Sequence, residues 1–145
     1  MNEKHFFEPA DEDRIVDAIK HAEAKTSGEI RVFVAKNAAN EPLTTAEKHF
    51  HALGMTNTRD RNAILIFLAP KSHTFAIVGD TAIHQRCGNT CWTTLCDEMN
   101  VHLKQGHHTD AILHVVARAG DLLARHFPAN PDDNPNQLPN TIVRD

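Results

Sequence analysis

Three carboxylates stand beside glycines, hydroxyls and arginines in this 145-residue chain, and they are the residues best suited to chemistry. Glu29 follows Ser27-Gly28, Asp60 sits within Thr58-Arg59-Asp60-Arg61, and Asp80 follows Gly79. Together with the hydroxyls of Ser27, Thr56 and Thr58 they form an all-oxygen donor set, the kind that takes hard cations such as Ca²⁺ or Mg²⁺. The same acids paired with Arg59 and Arg61 would instead make a solvated ion-pair network. Composition does not decide between the two readings; the elements that carry these residues must first bring them together.

The softer ligands make a weaker case. Zinc has one route, His84-x-x-Cys87-x-x-x-Cys91 with Cys96 or His107. Cys91 and Cys96 lie five apart on a predicted helix, which points them roughly 140° apart. Cys96 also falls on an apolar stripe, so zinc is disfavoured. Three cysteines crowded into ten positions do not form a disulfide framework and suit reduced thiols. The eleven histidines are spread over polar helix faces and loops. His107-His108 reads as a surface loop, and His84 alone lies near the acidic set. Histidine therefore reads as a modifier of the site, lowering cation affinity as pH falls.

Most catalytic devices are missing. The residues six positions after Cys87, Cys91 and Cys96 are Thr93, Asp97 and His102, so a cysteine phosphatase loop is absent. Arg125-His126-Phe127 lacks the glycine of a phosphohistidine motif. Asp11-Glu12-Asp13, the one Asp-x-Asp spacing, reads as the acidic first turn of a helix and not as an aspartyl nucleophile, and no dinucleotide fingerprint or Walker loop occurs. Asp132-Asp133-Asn134 lacks the glycine and distal glutamate of an EF-hand. Hydrolysis of phosphate esters would have to be metal-assisted, with Asp80, Arg61 and His84 as candidate catalytic groups.

The elements that would position these residues follow from periodicity. Ile15, Ala18, Ile19 and Ala22 make a helical stripe after Pro9, and Glu29–Ala35 reads as a strand. Thr44-x-x-Glu47 reads as a capping box for a second helix that stops at Gly54. Ala63–Ala69 is an unbroken apolar run, a buried strand, and a turn at Pro70 leads to a third strand. Two helices follow: Trp92, Leu95, Cys96, Met99 and Leu103 mark one, and Ile112 to Leu123 mark the other. The strand–helix–strand unit makes the first two strands parallel, and the short turn makes the third antiparallel. The predicted fold is a three-layer α/β/α sandwich with a small mixed sheet, strands near 29–35, 62–69 and 73–79, and about four helices. One domain spans 1–127, and 128–145 is a Pro/Asn-rich tail docked through Leu138 and Ile142. In this topology Gly28-Glu29, Thr58–Arg61 and Gly79-Asp80 lie along one rim.

Composition narrows the class. With 41% hydrophobic and 23% charged residues the chain is an ordinary globular domain, able to bury roughly 70% of its unfolded surface. Its formal charge of −4 and the lack of a basic block argue against nucleic acid as a partner. The longest apolar run is seven residues, far short of the ~20 needed to insert in a membrane. Eight acids against four bases in the first thirty residues exclude a transit peptide, and no secretory signal is visible. Cytoplasmic localisation is expected.

The motifs Thr26-Ser27-Gly28-Glu29-Ile30-Arg31-Val32, Leu53-Gly54-Met55-x-x-Thr58-x-x-Arg61-Asn62 and Ile77-Val78-Gly79-Asp80-x-x-Ile83-His84 resemble those of the TPM-domain family. Trp92, Phe127-Pro128 and Asn136-Gln137-Leu138-Pro139 match in order, so the resemblance runs through nearly the whole chain. It implies a small α/β/α sandwich and an acidic cleft for Ca²⁺ or Mg²⁺, with Asp80 in the family's Gly-Asp motif and Asp60 and Glu29 placed by position. The expected function is a divalent-cation-binding or scaffold module. The alternatives are an acid phosphatase acting on phosphomonoesters, an activity ascribed to plant members, and a protein-interaction module with a purely structural rim.

Overall fold

In the computed structural model, which describes residues 7–129 and 139–144, the apolar run Ala63–Ala69 is strand β2 and every residue of it is buried. That is the pattern of a strand covered on both faces. β1 (Glu29–Val34) runs parallel to it, from Glu29 opposite Ala63 to Val34 opposite Leu68. The turn Pro70–Ser72 is a single 3₁₀ turn, and β3 (Thr74–Gly79) returns antiparallel with Gly79 opposite Ile64.

A fourth strand, β4 (Val143–Arg144), pairs parallel with β1 at Phe33 and Val34. The sheet is thus four-stranded, in the order β3-β2-β1-β4, rather than the three strands expected. Two residues are too short to show a period of two, which is why the sequence does not announce β4. Ile142, just before it, packs against the core. Asp132–Asn134 and Leu138 lie outside the described residues.

Alternation along the strands divides the core. Ile30, Val32, Ile64 and Ile66 face α1 (Pro9–Glu23), α3 (Thr81–Lys104) and α4 (His108–His126). Phe33, Leu65 and Phe67 face α2 (Pro42–Ala52), which supplies Ala46 and Phe50. With helices on both sides of an open mixed sheet, the molecule is the α/β sandwich that the element order predicts. Each large side chain fully buried here contributes roughly 1.5–3 kcal/mol.

Local signals set the element ends, with three corrections. Helix α2 starts at Pro42 and its N-cap is Glu41, so Thr44 lies inside the first turn and its side chain does not cap. Proline's fixed φ and missing N–H favour the first helical position, and that preference overrides the capping-box pattern. The stop at Gly54 is as expected. With φ at 69°, Gly54 donates to the carbonyl of His51 while Met55 donates to that of Phe50, satisfying two terminal carbonyls.

The second correction concerns the cysteines, which are not all free thiols. Cys87 and Cys91 are joined by a disulfide, their Cα atoms 5.6 Å apart, and Cys96 is free. Gly88, with φ 78° and ψ 173°, kinks α3 between them. The Cys96 thiol is pushed up by burial and, secondarily, by Asp97. Third, His108 is the first residue of α4 and is half-buried, not part of a surface loop.

α1 and α4 approach most closely where Gly120 meets Ala22. A Cβ at Gly120 would lie 2.6 Å from that of Ala22 and 3.2 Å from its Cα. Gly120→Ala should therefore lower stability by about 1 kcal/mol, the overpacking cost exceeding alanine's helix-propensity gain. Urea unfolding at neutral pH measures this, with a lower midpoint at unchanged slope as the expected result.

Candidate functional site

The parallel register brings the starts of β1 and β2 and the end of β3 to one edge, so Ser27, Asp60, Arg61 and Asp80 lie along a common rim. Ser27 Oγ donates to Asp60 Oδ2 at 2.9 Å, and Asn62 Nδ2 donates to Ser27 Oγ at 3.1 Å. Thr58 Oγ1 accepts from the Asn62 backbone N–H. Asp60 is one-third exposed and has Arg59 Nε 3.6 Å away. Asn62 is wholly buried, and its Oδ1 has no hydrogen-bond partner among the described residues. A buried acceptor left unmet costs about 1–3 kcal/mol, so such an atom invites explanation.

Asp80 is held differently. Arg61 grips it with a fork, Nε to Oδ2 at 2.8 Å and a terminal NH₂ group to Oδ1 at 3.0 Å. Oδ1 also accepts from Thr81 N–H at 2.7 Å, which makes Asp80 the N-cap of α3. Its own N–H bonds the Ala63 carbonyl, and Ala82 N–H bonds that of Arg61. Arg61 has φ 52°, a left-handed conformation uncommon for a side-chain-bearing residue. The fork and the backbone bond from Ala82 hold it there. Hydrogen bonding and charge from Asp80 raise the Arg61 guanidinium above its ordinary range.

Glu29 starts β1 at the same sheet end, but its carboxyl belongs to another group. It is buried, hydrogen-bonded to Glu23 from the last turn of α1, with Arg31 close by. Glu23 Oε2 accepts the backbone N–H of Ile30 at 2.7 Å. Burial, then the adjacent Glu29 carboxylate, pushes Glu23 up to about 8. Burial lowers Arg31, and the charge of Glu23 opposes that shift. Two carboxyls and one guanidinium in a common buried site balance in charge only if one carboxyl keeps its proton.

Sequence reasoning missed Glu23, Arg31 and Asn62. Glu23 did leave a signal: it falls eight residues after Ile15 and four after Ile19, on the inward stripe of α1. Asn62 directly precedes a seven-residue apolar run and had no such mark.

Beside Asp80 and Arg61 opens a cavity of about 720 Å³, bounded also by His84, Trp92 and Thr93 of α3. Trp92 Nε1 donates to His84 Nδ1 at 2.8 Å, which places the proton of a neutral His84 on Nε2. The indole lies over Gly79, where a Cβ would come within 2.4 Å of the ring. Among the described residues, no three histidine, cysteine, aspartate or glutamate side chains converge as a metal-holding group. Asp60 with Ser27 and Asn62, Asp80 with Arg61, and Glu29 with Glu23 are three separate clusters along one rim. No helix among the described residues is long and apolar enough to cross a membrane.

Comparison with known proteins agrees with this architecture. The chain is similar in structure to the BA42 protein of the psychrophilic bacterium Bizionia argentinensis, at 36% identity and a TM-score of 0.90 over 97% of each chain. The N-terminal domain of a P. gingivalis protein shares the fold at 15% identity and a TM-score of 0.70, over 87% of this chain and 83% of that one. So does the N-terminal domain of cg2496 from Corynebacterium glutamicum, at 19% identity and a TM-score of 0.63, over 81% and 74%. No curated protein matches the chain. The family model of the TPM domain matches residues 1–122, and the chain belongs to the TPM-domain family.

Proposed function

We propose that this TPM domain is a divalent-cation-binding module whose cation, Ca²⁺ or Mg²⁺, is taken at the Asp60 end of the rim. The observation that carries the reading is the orphaned Oδ1 of buried Asn62, in a residue already linked through Ser27 to Asp60. An amide oxygen, a hydroxyl and a half-open carboxylate are hard donors, suited to a cation that keeps several waters. Asp60 would supply the charge, and Ser27 and Asn62 neutral oxygens. Asp80, which accepts from Thr81 N–H and is gripped by Arg61, would take part only by giving up bonds it already has. Glu29 would contribute through the backbone it anchors, since its carboxyl is engaged with Glu23. A bound cation supplies local positive charge and fixes the loops that carry its ligands.

Titration of ¹⁵N-labelled protein with Ca²⁺ and with Mg²⁺ tests this directly. Amides of residues 27–29 and 58–63 should shift, and Asp60→Asn should weaken binding by about tenfold or more, as expected for loss of the only exposed charged ligand. A spectrum indifferent to both cations, or Asp60→Asn binding as tightly as the parent, overturns the reading and leaves a structural ion-pair rim.

The 720 Å³ cavity between Arg61, Asp80 and Trp92 favours one alternative, hydrolysis of phosphomonoesters with Arg61 holding the phosphate. Metal-dependent turnover of p-nitrophenyl phosphate, lost in Arg61→Gln, would establish it. Absence of turnover in a cation-binding protein would leave the binding module.

A further inference from the structure

The sheet end opposite the rim carries a second cavity of about 570 Å³, under the 3₁₀ turn and between the end of α3 and the start of α4. Its volume falls in the range of small-molecule sites. Leu68, Phe75 and Leu103 provide apolar walls, while Lys71, His73, Lys104 and His108 stand at it. The polar lining is otherwise Asn100 and Thr74, and none of the lining residues is acidic. In a chain of net charge −4, four basic side chains around one apolar hollow are a local inversion of sign.

Structure around the cavity is fixed in advance. Thr74 Oγ1 donates to the Ala39 carbonyl at 2.7 Å, and Ser72 Oγ accepts from Ala39 N–H at 2.9 Å. His73 is held with φ 55° and donates its N–H to the Pro70 carbonyl. The first turn of the 19-residue α4 begins at His108, adding the positive end of its dipole. The nearest acid in sequence, Asp110 in that same turn, does not line the cavity.

The geometry points to a binding site for a small organic anion, a carboxylate or phosphate headgroup on an apolar body. The headgroup lies against Lys71, Lys104, His73 and His108, and the body against Phe75, Leu68 and Leu103. Elementary electrostatics supports this sign. Burial, and then the charge of His73, holds His108 below the ordinary histidine range. An anion beside the two rings offsets that repulsion and favours the protonated form of His108, so binding takes up a proton. Among the described residues that line the cavity, the charged groups besides these histidines are Lys71 from the turn and Lys104 from α3, and β2 and β3 contribute none. The site thus tightens as pH falls, opposite in sense to the cation site expected at the rim.

The test is an NMR titration of the full chain in EDTA, so that the rim holds no divalent cation. The probes are hexanoate, hexyl phosphate, inorganic phosphate and hexylammonium. Hexanoate or hexyl phosphate should shift amides of residues 70–75 and 103–109 and leave residues 27–29 and 58–63 still; which of the two binds more tightly identifies the headgroup. Affinity should rise about tenfold from about pH 8 to about pH 6. Exposed Lys104 replaced by glutamine should lose about fivefold in affinity. His73→Asn, which keeps a left-handed backbone, should flatten the pH dependence while leaving binding at high pH. Equal binding of hexylammonium and hexanoate overturns the proposal. So do shifts confined to the rim, an unchanged affinity in Lys104→Gln, or no shift with any probe. Inorganic phosphate binding as tightly as hexyl phosphate removes the apolar body from the assignment and also counts against it. Because the cation titration reads other residues under other conditions, either site can fail without the other.

Discussion

Glu23→Gln should stabilise the protein at about pH 8 by on the order of 3 kcal/mol and remove most of the pH dependence of its stability above the acid range. The sign follows from proton counting. The folded protein holds the Glu23 proton up to about 8, whereas the unfolded chain releases it near the ordinary glutamate value of 4.5. Between those values the folded state binds more protons than the unfolded one, so the parent's stability falls as pH rises through the window and levels off above it. Below about 4.5 both states are protonated and the penalty is absent. Glutamine resembles the protonated carboxyl: its oxygen still accepts from Ile30 N–H, and its NH₂ can donate to Glu29. Urea unfolding at several pH values measures the effect. A parent curve flat between pH 5 and pH 8, or a glutamine variant less stable at pH 8, would show that burial does not hold the proton there.

The second large effect is expected at Asp80. Asp80→Ala removes the N-cap of α3, about 1–2 kcal/mol, together with the anion in the Arg61 fork. Asp80→Asn keeps a good cap but loses the charge and one acceptor oxygen of the Arg61 fork, so it should cost less than the alanine change. Hydrogen exchange separates the two substitutions. In the alanine variant, amides in the first turns of α3, up to the kink at Gly88, should exchange faster, while those of the second half should not. Equal loss in both variants would assign the role of Asp80 to its charge. The comparison also bears on the cation site, because only the asparagine variant tests the charge in an intact frame.

Much of the fold was legible because its main signals are long. Ala63–Ala69 is continuous, the stripes of α1 and α4 run for several turns, and the parallel and antiparallel pairings follow from connection lengths. From these the placement of Gly28-Glu29, Thr58–Arg61 and Gly79-Asp80 along one rim could be read from the sequence. What lay beyond the sequence was direction at short range. Glu29 could be placed at the sheet end, but its turn toward Glu23 depends on a helix end and an unpaired strand edge that no spacing encodes. Asn62 looked like an ordinary loop residue until its neighbours were known. Proline's preference for the first helical position moved the start of α2, and β4 is shorter than any pattern. Histidine was misjudged at one place for a related reason: His73 and His108 are 35 positions apart, and only the turn packing against the helix start makes them neighbours.

The carboxyl of Glu23 on the backbone of Ile30 has a consequence for how the molecule meets copies of itself. Among the described residues β4 covers β1 only at Phe33 and Val34, which leaves the other end of that strand as a margin with no strand beside it there. Exposed margins of this kind template intermolecular strand pairing. Here the N–H of Ile30 is occupied by a side chain of the same molecule, and Ser27 N–H by the carbonyl of Phe127. Two of the donors that an incoming strand would use are thus already taken. Beyond setting the acid–base behaviour of the fold, the buried glutamate therefore narrows the edge on which another copy could pair.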